Sequence, residues 1–247
     1  MASAKDIVVK PIKASAANAL VKRVHYSGKV VNNSNLHFGA FLNGKLEGAM
    51  SFGSPLDKRK VLPLVEGTSW TGMLELNRMA FSDRLPRNSE SRCMAVAFRL
   101  IKKHYPHIEW ILSFSDGTQC GDGAIYRASG FVLTQIKKNT SLWQHKLTGE
   151  QRQDMQFFHT GTIAEKKSGQ WERIKGYQLR YMYFLNPEAK SRLTVPILPF
   201  SKIEEMGAGM YKGKKITRDK QAMTDTLGTA AGQHRPSRSN ENYGQTN

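Results

Sequence analysis

The spacing of hydrophobic positions changes several times along the chain, and each change marks an element. Ile7-Val8-Val9-Lys10-Pro11-Ile12 reads as a short opening strand, and the Ala-rich stretch Ala14–Val24 reads as a helix with Ser15 as a candidate cap. The helix runs into His25-Tyr26-Ser27-Gly28, where glycine ends the pattern, and polar residues 27–35 read as a loop. Two apolar-rich runs, 37–42 and 45–52, flank Asn43-Gly44. Both residues of a two-residue type I′ turn need positive φ, so this pair predicts a hairpin. Met73–Phe81 reads as a strand whose alternation puts Glu75 and Asn77 on one face and Leu76 and Arg78 on the other. Met94, Ala97, Phe98 and Ile101 are spaced i, i+3, i+4, i+7, the buried stripe of a helix running from about Asn88 through His104. Residues 108–115 form a compact apolar strand ending at Asp116-Gly117. A short helix over 122–129 is stopped by Gly130, and 131–136 is the next strand.

Strand, helix, hairpin, strand, helix, strand, helix, strand is an alternation that predicts an α/β fold, helices packed on a mixed β-sheet. Residues 54–70 read as a long connection holding Pro55, Pro63 and the basic cluster Lys58-Arg59-Lys60; loops of that length in a compact domain are more often functional than idle. Beyond residue 140, segments around 141–146 and 150–158 suggest an insertion over about 141–175, followed by a last strand over 176–185. The domain is expected to occupy 1–205. Residues 206–247 are rich in Gly, polar and charged residues and are expected to be a disordered tail.

Charge changes the picture. Against 20 Asp+Glu the chain has 37 Lys+Arg, a net charge of +17, of which the stretch from Lys212 onward supplies only +4. The excess therefore sits mainly on the folded body, as a nucleic-acid-binding face requires. Two cysteines, Cys93 and Cys120, make no disulfide framework and no zinc spacing. Neither a membrane span nor a signal-peptide core is legible, so the expected compartment is the cytoplasm, at the nucleoid.

Several chemistries are excluded by missing motifs. The chain has no D/N-P-P-Y/F/W run, no Gly-rich dinucleotide fingerprint, no P-loop and no H-x-E with P-C-x-x-C. What remains is a scatter of polar residues at element ends. Asp116 closes an apolar strand, where a carboxylate is well placed for a cleft, although Asp-Gly is also an ordinary turn. Tyr126 follows on a short helix, placed either to donate a phenolic proton or simply to pack. His25-Tyr26 ends the first helix. Arg78 is a charge in an apolar strand and needs a partner such as Asp116 or a substrate anion. The strand-to-helix segment Arg84-Leu-Pro-Arg-Asn-Ser-Glu-Ser-Arg92 offers Arg87, Asn88, Ser89 and Ser91 at a helix start, a natural anion site or an ordinary capped helix.

His25-Tyr26-Ser27, His37-Phe38-Gly39, Glu75-Leu76-Asn77-Arg78-Met79, residues 86–91 and residues 126–131 together resemble the Mom family of Mu-like phages, within the GNAT N-acyltransferase superfamily. The resemblance covers roughly residues 5–185. It implies a GNAT-like sheet flanked by helices and an enzyme that converts DNA adenine to N6-carbamoylmethyladenine, shielding phage DNA from restriction. Carried over, the functional positions are His25, Tyr26, Arg78, Asp116 and Tyr126. Arg87, Asn88, Ser89 and Ser91 stand where the superfamily has a glycine-rich pyrophosphate loop, so the donor is expected to be an activated glycyl group such as glycyl-tRNA, or else an acyl-CoA. Iron is associated with the family, and His25, His37 and Asp116 are the residues that could ligate it; spacing gives no metal motif. Lys58, Arg59, Lys60 and Arg84 are expected to hold double-stranded DNA, with tRNA as a donor carrier, no membrane partner and a homodimer compatible with the chain. Adenine N6 is paired in duplex, so the base must be extruded, with Trp70, Tyr26 or Phe38 as candidates to stack on it. Two other readings fit parts of the sequence: an N-acyltransferase for another amine, and a non-catalytic basic DNA-binding protein.

Overall fold

A computed structural model describes residues 2–25, 27–116, 123–174, 176–208, 210–211 and 214–215. The described residues up to 215 belong to one compact unit. Tyr26, Cys120 and most of the expected tail lie outside the described residues.

The chain begins with β1 (Val8–Pro11) and α1 (Ala14–Val24), then β2 (Ser34–Leu42) and β3 (Lys45–Gly53). Asn43 and Gly44 have φ of 50° and 76°, so the turn predicted from Asn-Gly joins β2 to β3. A short α2 (Lys58–Val61) leads to β4 (Met73–Phe81), α3 (Ser89–His104), β5 (Trp110–Asp116), α4 (Ala124–Ala128) and β6 (Val132–Asn139). A separate three-stranded sheet follows, made of β7 (Leu142–His145), β8 (Gln151–Gln153) and β9 (Trp171–Arg173) in the order β8-β7-β9. α5 (Asp154–His159) and α6 (Ile163–Lys166) lie between β8 and β9 in the chain. β10 (Gly176–Phe184) returns to the main sheet, and α7 (Pro187–Ser191) and α8 (Ser201–Glu205) follow.

The main sheet has the order β1-β2-β3-β4-β5-β10-β6. Its neighbours are antiparallel except β4 and β5, which run parallel and pair only over Met73↔Trp110, Leu74↔Ile111 and Glu75↔Leu112. Beyond Glu75 and Leu112 the two strands part, and carboxyl-end partings of this kind are where open α/β sheets form ligand crevices. The fold class expected from the alternation, a mixed sheet flanked by helices, is the one observed.

One face of the sheet carries the main core. Phe38, Met50, Phe52 and Leu76 meet Met94, Ala97, Phe98 and Ile101, the stripe predicted for α3. Cys93 is buried there, and burial pushes its thiol up to about 12. On the other face α1 sets Ala17 and Leu20 against Ala49. The connection over 54–70, read as a long loop, is partly helical: Val61, Leu64 and Val65 pack with Met73, Trp110, Leu112 and Met182 into a second cluster. Apolar residues in that stretch, read as loop, are the reason it folds down. Ala208 is buried beside the main core, so the packed body reaches at least that far. Among the described residues no helix is long and apolar enough to cross a membrane.

Candidate active site

The site begins with an extra residue. β3 and β4 pair as Ser51↔Arg78 and then Phe52↔Leu76, so Asn77 is unmatched and forms a β-bulge. Simple alternation puts Arg78 on the face of Leu76. The bulge reverses this: Arg78 shares the register row of Ser51 and lies on the face of Glu75, opposite the main core. Where β4 and β5 part, that face opens into a cleft of about 750 Å³. Glu75, Asn77 and Arg78 line it from β4, Asp116 from the end of β5, Lys137 and Gln178 from β6 and β10, and Lys60 from α2.

The charges in the cleft are constrained. Burial raises the Glu75 carboxyl to about 7, while a hydrogen bond from Asn77 and the Arg78 guanidinium pull the other way. Asn77 is oriented by Ser34, whose Oγ donates to Asn77 Oδ1 at 2.9 Å. The Arg78 charge, expected to need Asp116 or a substrate anion, is met in part by main-chain carbonyls: Nε donates to Lys29 at 3.1 Å and a terminal nitrogen to Asn77 at 2.9 Å. Arg180, half-buried in the same cleft, donates from Nε to Thr134 Oγ1 at 3.0 Å.

His25 ends α1. Its Nδ1 accepts from the Ser27 backbone N–H at 3.1 Å and lies 2.8 Å from Ser27 Oγ, which leaves the ring proton on Nε2. Burial first, and then Arg78, lower His25 to about 4, so the ring is neutral at physiological pH. His37 is buried, with Nδ1 2.9 Å from Ser51 Oγ. Among the described residues no three His, Cys, Asp or Glu side chains are placed to share a metal ion. His25, His37 and Asp116 thus do not form a ligand set, and iron does not fit them.

Tyr126 approaches from the other face. Ser113 Oγ donates to its phenolic oxygen at 3.0 Å and lies 3.4 Å from the Leu76 carbonyl, placing the phenol at the seam between β4 and β5. Its ring stacks on Tyr181 with centroids 4.3 Å apart. The structure therefore gathers Glu75, Arg78 and Asp116 in one cleft and sets Tyr126 behind the seam, on the core side of the sheet.

The residues expected to bind a donor are elsewhere. Arg87, Asn88 and Ser91 line a second hollow of about 580 Å³ at the start of α3, together with Arg92 and the amino-terminal residues 2–5. Asn88 occupies the cap position with φ of 67° and makes no side-chain capping bond. Ser89 is buried and donates to the Pro86 carbonyl, which occupies it locally. Of the expected DNA contacts, Lys60 reaches the cleft and pairs with Asp57 at 2.7 Å, Lys58 lies over the Trp70 ring at 5.0 Å, and Arg59 is exposed. Arg84 instead pairs with Glu47 at 3.3 Å and does not line the cleft. Phe38, a candidate stacking partner, is in the core and cannot serve; Trp70 is 58% exposed. Glu75 was missed as a site residue, although a carboxylate within an apolar strand, two residues before Asn-Arg, is the signal that marks it.

A sequence model of the Mom protein family matches residues 6–202. The methylcarbamoylase Mom of Escherichia phage Mu is 35% identical over 206 residues, which span 78% of this chain and 81% of that protein. Among solved structures, an IAA acetyltransferase from Bacillus cereus overlaps with a TM-score of 0.41 at 11% identity, covering 72% of this chain and 99% of that one. A probable acetyltransferase from Staphylococcus epidermidis overlaps at 0.43 and 12%, covering 72% and 98%. Overlaps of that size carry no functional weight. The family match over most of the chain, together with the Mu relative, does: this chain belongs to the Mom protein family.

Proposed function

We propose that this chain is a DNA-modifying transferase that converts adenine in phage DNA to N6-carbamoylmethyladenine and so protects it from restriction. The observation that carries the reading is the cleft at the parting of β4 and β5, where Glu75 and Asp116 stand beside Arg78 in a volume typical of ligand sites. The family, whose Mu member is named a methylcarbamoylase, supplies the reaction class. The charge of +17 supplies a reason for a polyanionic substrate.

The product carries –NH–CH₂–CO–NH₂ on C6, the atoms of glycinamide, and an activated glycyl ester such as glycyl-tRNA is a sufficient donor. In the first step N6 attacks the glycyl carbonyl; the N6–C bond forms, the ester C–O bond breaks, N6 loses a proton and the leaving hydroxyl gains one. In the second, the new amine attacks C6 through a five-membered ring and the bond from C6 to the original N6 breaks, leaving that nitrogen as the carboxamide. Glu75 or Asp116 accepts the proton from N6, and the Glu75 value near 7 suits a base working at neutral pH. Tyr126, at the far side of the seam, protonates the departing oxygen. Arg78 stabilises the oxyanion, and His25, its neighbour, stays neutral and adds no second positive charge there. The hollow at the start of α3, with Arg87, Asn88 and Ser91, holds the donor's phosphate.

Co-expression with a plasmid in cells supplied with ¹⁵N-glycine, followed by nucleoside mass spectrometry, tests the reading. The expected product is N6-carbamoylmethyladenine with the label on the nitrogen bonded to C6 and none in the carboxamide. Of Glu75→Gln and Asp116→Ala, the one that removes the base should lower its yield by roughly 10²–10⁴-fold, the range for loss of a general acid or base, and the other by less. Unmodified deoxyadenosine in cells rich in the folded wild-type protein defeats the proposal; modified adenine without label on the nitrogen bonded to C6 defeats the donor scheme alone.

A further inference from the structure

The rim of the cleft carries a side chain that the fold does not use. Leu56 is 96% exposed, yet it lines the cleft beside Asp57 and Lys60. Single exposed leucines are common and need no explanation. This one differs in how firmly its backbone is held. Gly53 ends β3 so close to the neighbouring loop that a Cβ there would lie 1.9 Å from the Asn33 carbonyl oxygen. The next residue donates its backbone N–H to that same carbonyl at 3.2 Å, and Asn33 Nδ2 returns a hydrogen bond to the Ser54 carbonyl. Pro55 is buried. Two strapped residues and a packed proline thus hold out an apolar side chain, and α2 follows at once with three consecutive cations.

We propose that Leu56 is a wedge that enters the base stack of duplex DNA next to the target adenine and drives that adenine into the cleft. The inference rests on the reading above that the substrate is DNA. It answers a need that reading creates, since N6 of a paired adenine is out of reach until the base leaves the helix. Proteins that unstack a base step do so with a leucine, phenylalanine, isoleucine, methionine or proline, and the unstacking costs a few kcal/mol per step. A flexible tip would fold back rather than enter; the straps at Asn33 prevent this. Lys58 and Arg59, beside the tip, meet the phosphates on either side of the opened step. An apolar tip with a cationic flank complements a base stack between phosphates.

The test compares wild type, Leu56→Ala and Leu56→Met. Modified adenines in a co-expressed plasmid are first mapped. A short duplex around one such site is then made with 2-aminopurine in place of the adenine, together with the matching single strand. All three proteins should melt at the same temperature, because the Leu56 side chain is almost fully exposed. Wild type and Leu56→Met should raise 2-aminopurine fluorescence on binding the duplex. Leu56→Ala should bind within about threefold of wild type but lose at least fivefold of that rise, and should modify plasmid at least tenfold less. On the single strand, where nothing needs to be opened, all three should behave alike. A Leu56→Ala protein that opens and modifies duplex as wild type does overturns the wedge and leaves the substrate reading intact. Absence of any modified adenine with wild type instead overturns the substrate reading itself.

Discussion

Glu75 and His25 titrate in the same pH range with opposite consequences. Glu75 has a folded value of about 7 against an ordinary 4.5, so between these values the folded protein keeps a proton that the unfolded chain has lost. Its contribution to stability therefore falls as pH rises through that window. His25 has a folded value of about 4 against 6.5, so in its window the unfolded chain binds the proton and stability rises with pH. From about 4.5 to 6.5 the two nearly offset each other, and the wild-type melting temperature should vary little from this pair. Glu75→Gln should unmask a rise in melting temperature from pH 4.5 to 6.5, and His25→Gln a fall; scanning calorimetry across that range reads both. A flat profile in both variants would show that neither group is shifted by the fold. His25 was legible in sequence as a polar residue closing a helix. The Glu75 shift was not, because it comes from burial where β4 meets β5, a strand far off in sequence, and no local pattern reports that burial.

At the level of elements, local signals were read well and pairings were not. Asn43-Gly44 announces its turn because the backbone there demands positive φ, and the α3 stripe is visible because one face of a helix repeats every three to four residues. The bulge at Asn77 left no such mark: one additional residue changes no composition, yet it carries Arg78 across the sheet. The insertion of β10 between β5 and β6 was equally hidden, since strand order depends on contacts far apart in the chain. Tight packing at the end of β3 yields a prediction of this scale. Gly53→Ala would force backbone against backbone at Asn33 and Ser34, where no side chain can swing away. It should cost about 1–3 kcal/mol, read from denaturant unfolding, typical of an overpacked site. It should also release the strap under Ser54 and so weaken duplex modification more than single-strand modification.

Across the whole molecule, charge sets the terms of association. If the chain with its +17 neutralises Z phosphates, log K for duplex should fall with log salt at a slope near −0.9Z. Replacing exposed Arg59 with Ala should make that slope shallower by about one and weaken all sequences alike; an unchanged slope would remove Arg59 from the interface. Arg84, tied to Glu47 away from the cleft, should change the slope much less. The small sheet of β7, β8 and β9 has a different bearing on the molecule. Asn139 and Gly176, at its two ends, are direct register partners in β6 and β10. The polypeptide leaves the large sheet and rejoins it on a single rung, so the intervening cassette is spliced into what is otherwise a plain hairpin. Its size and sequence can change without any strand exchanging neighbours. Because Asn139 and Gln153 border the cleft, such changes redraw the mouth of the site while its floor stays as it is.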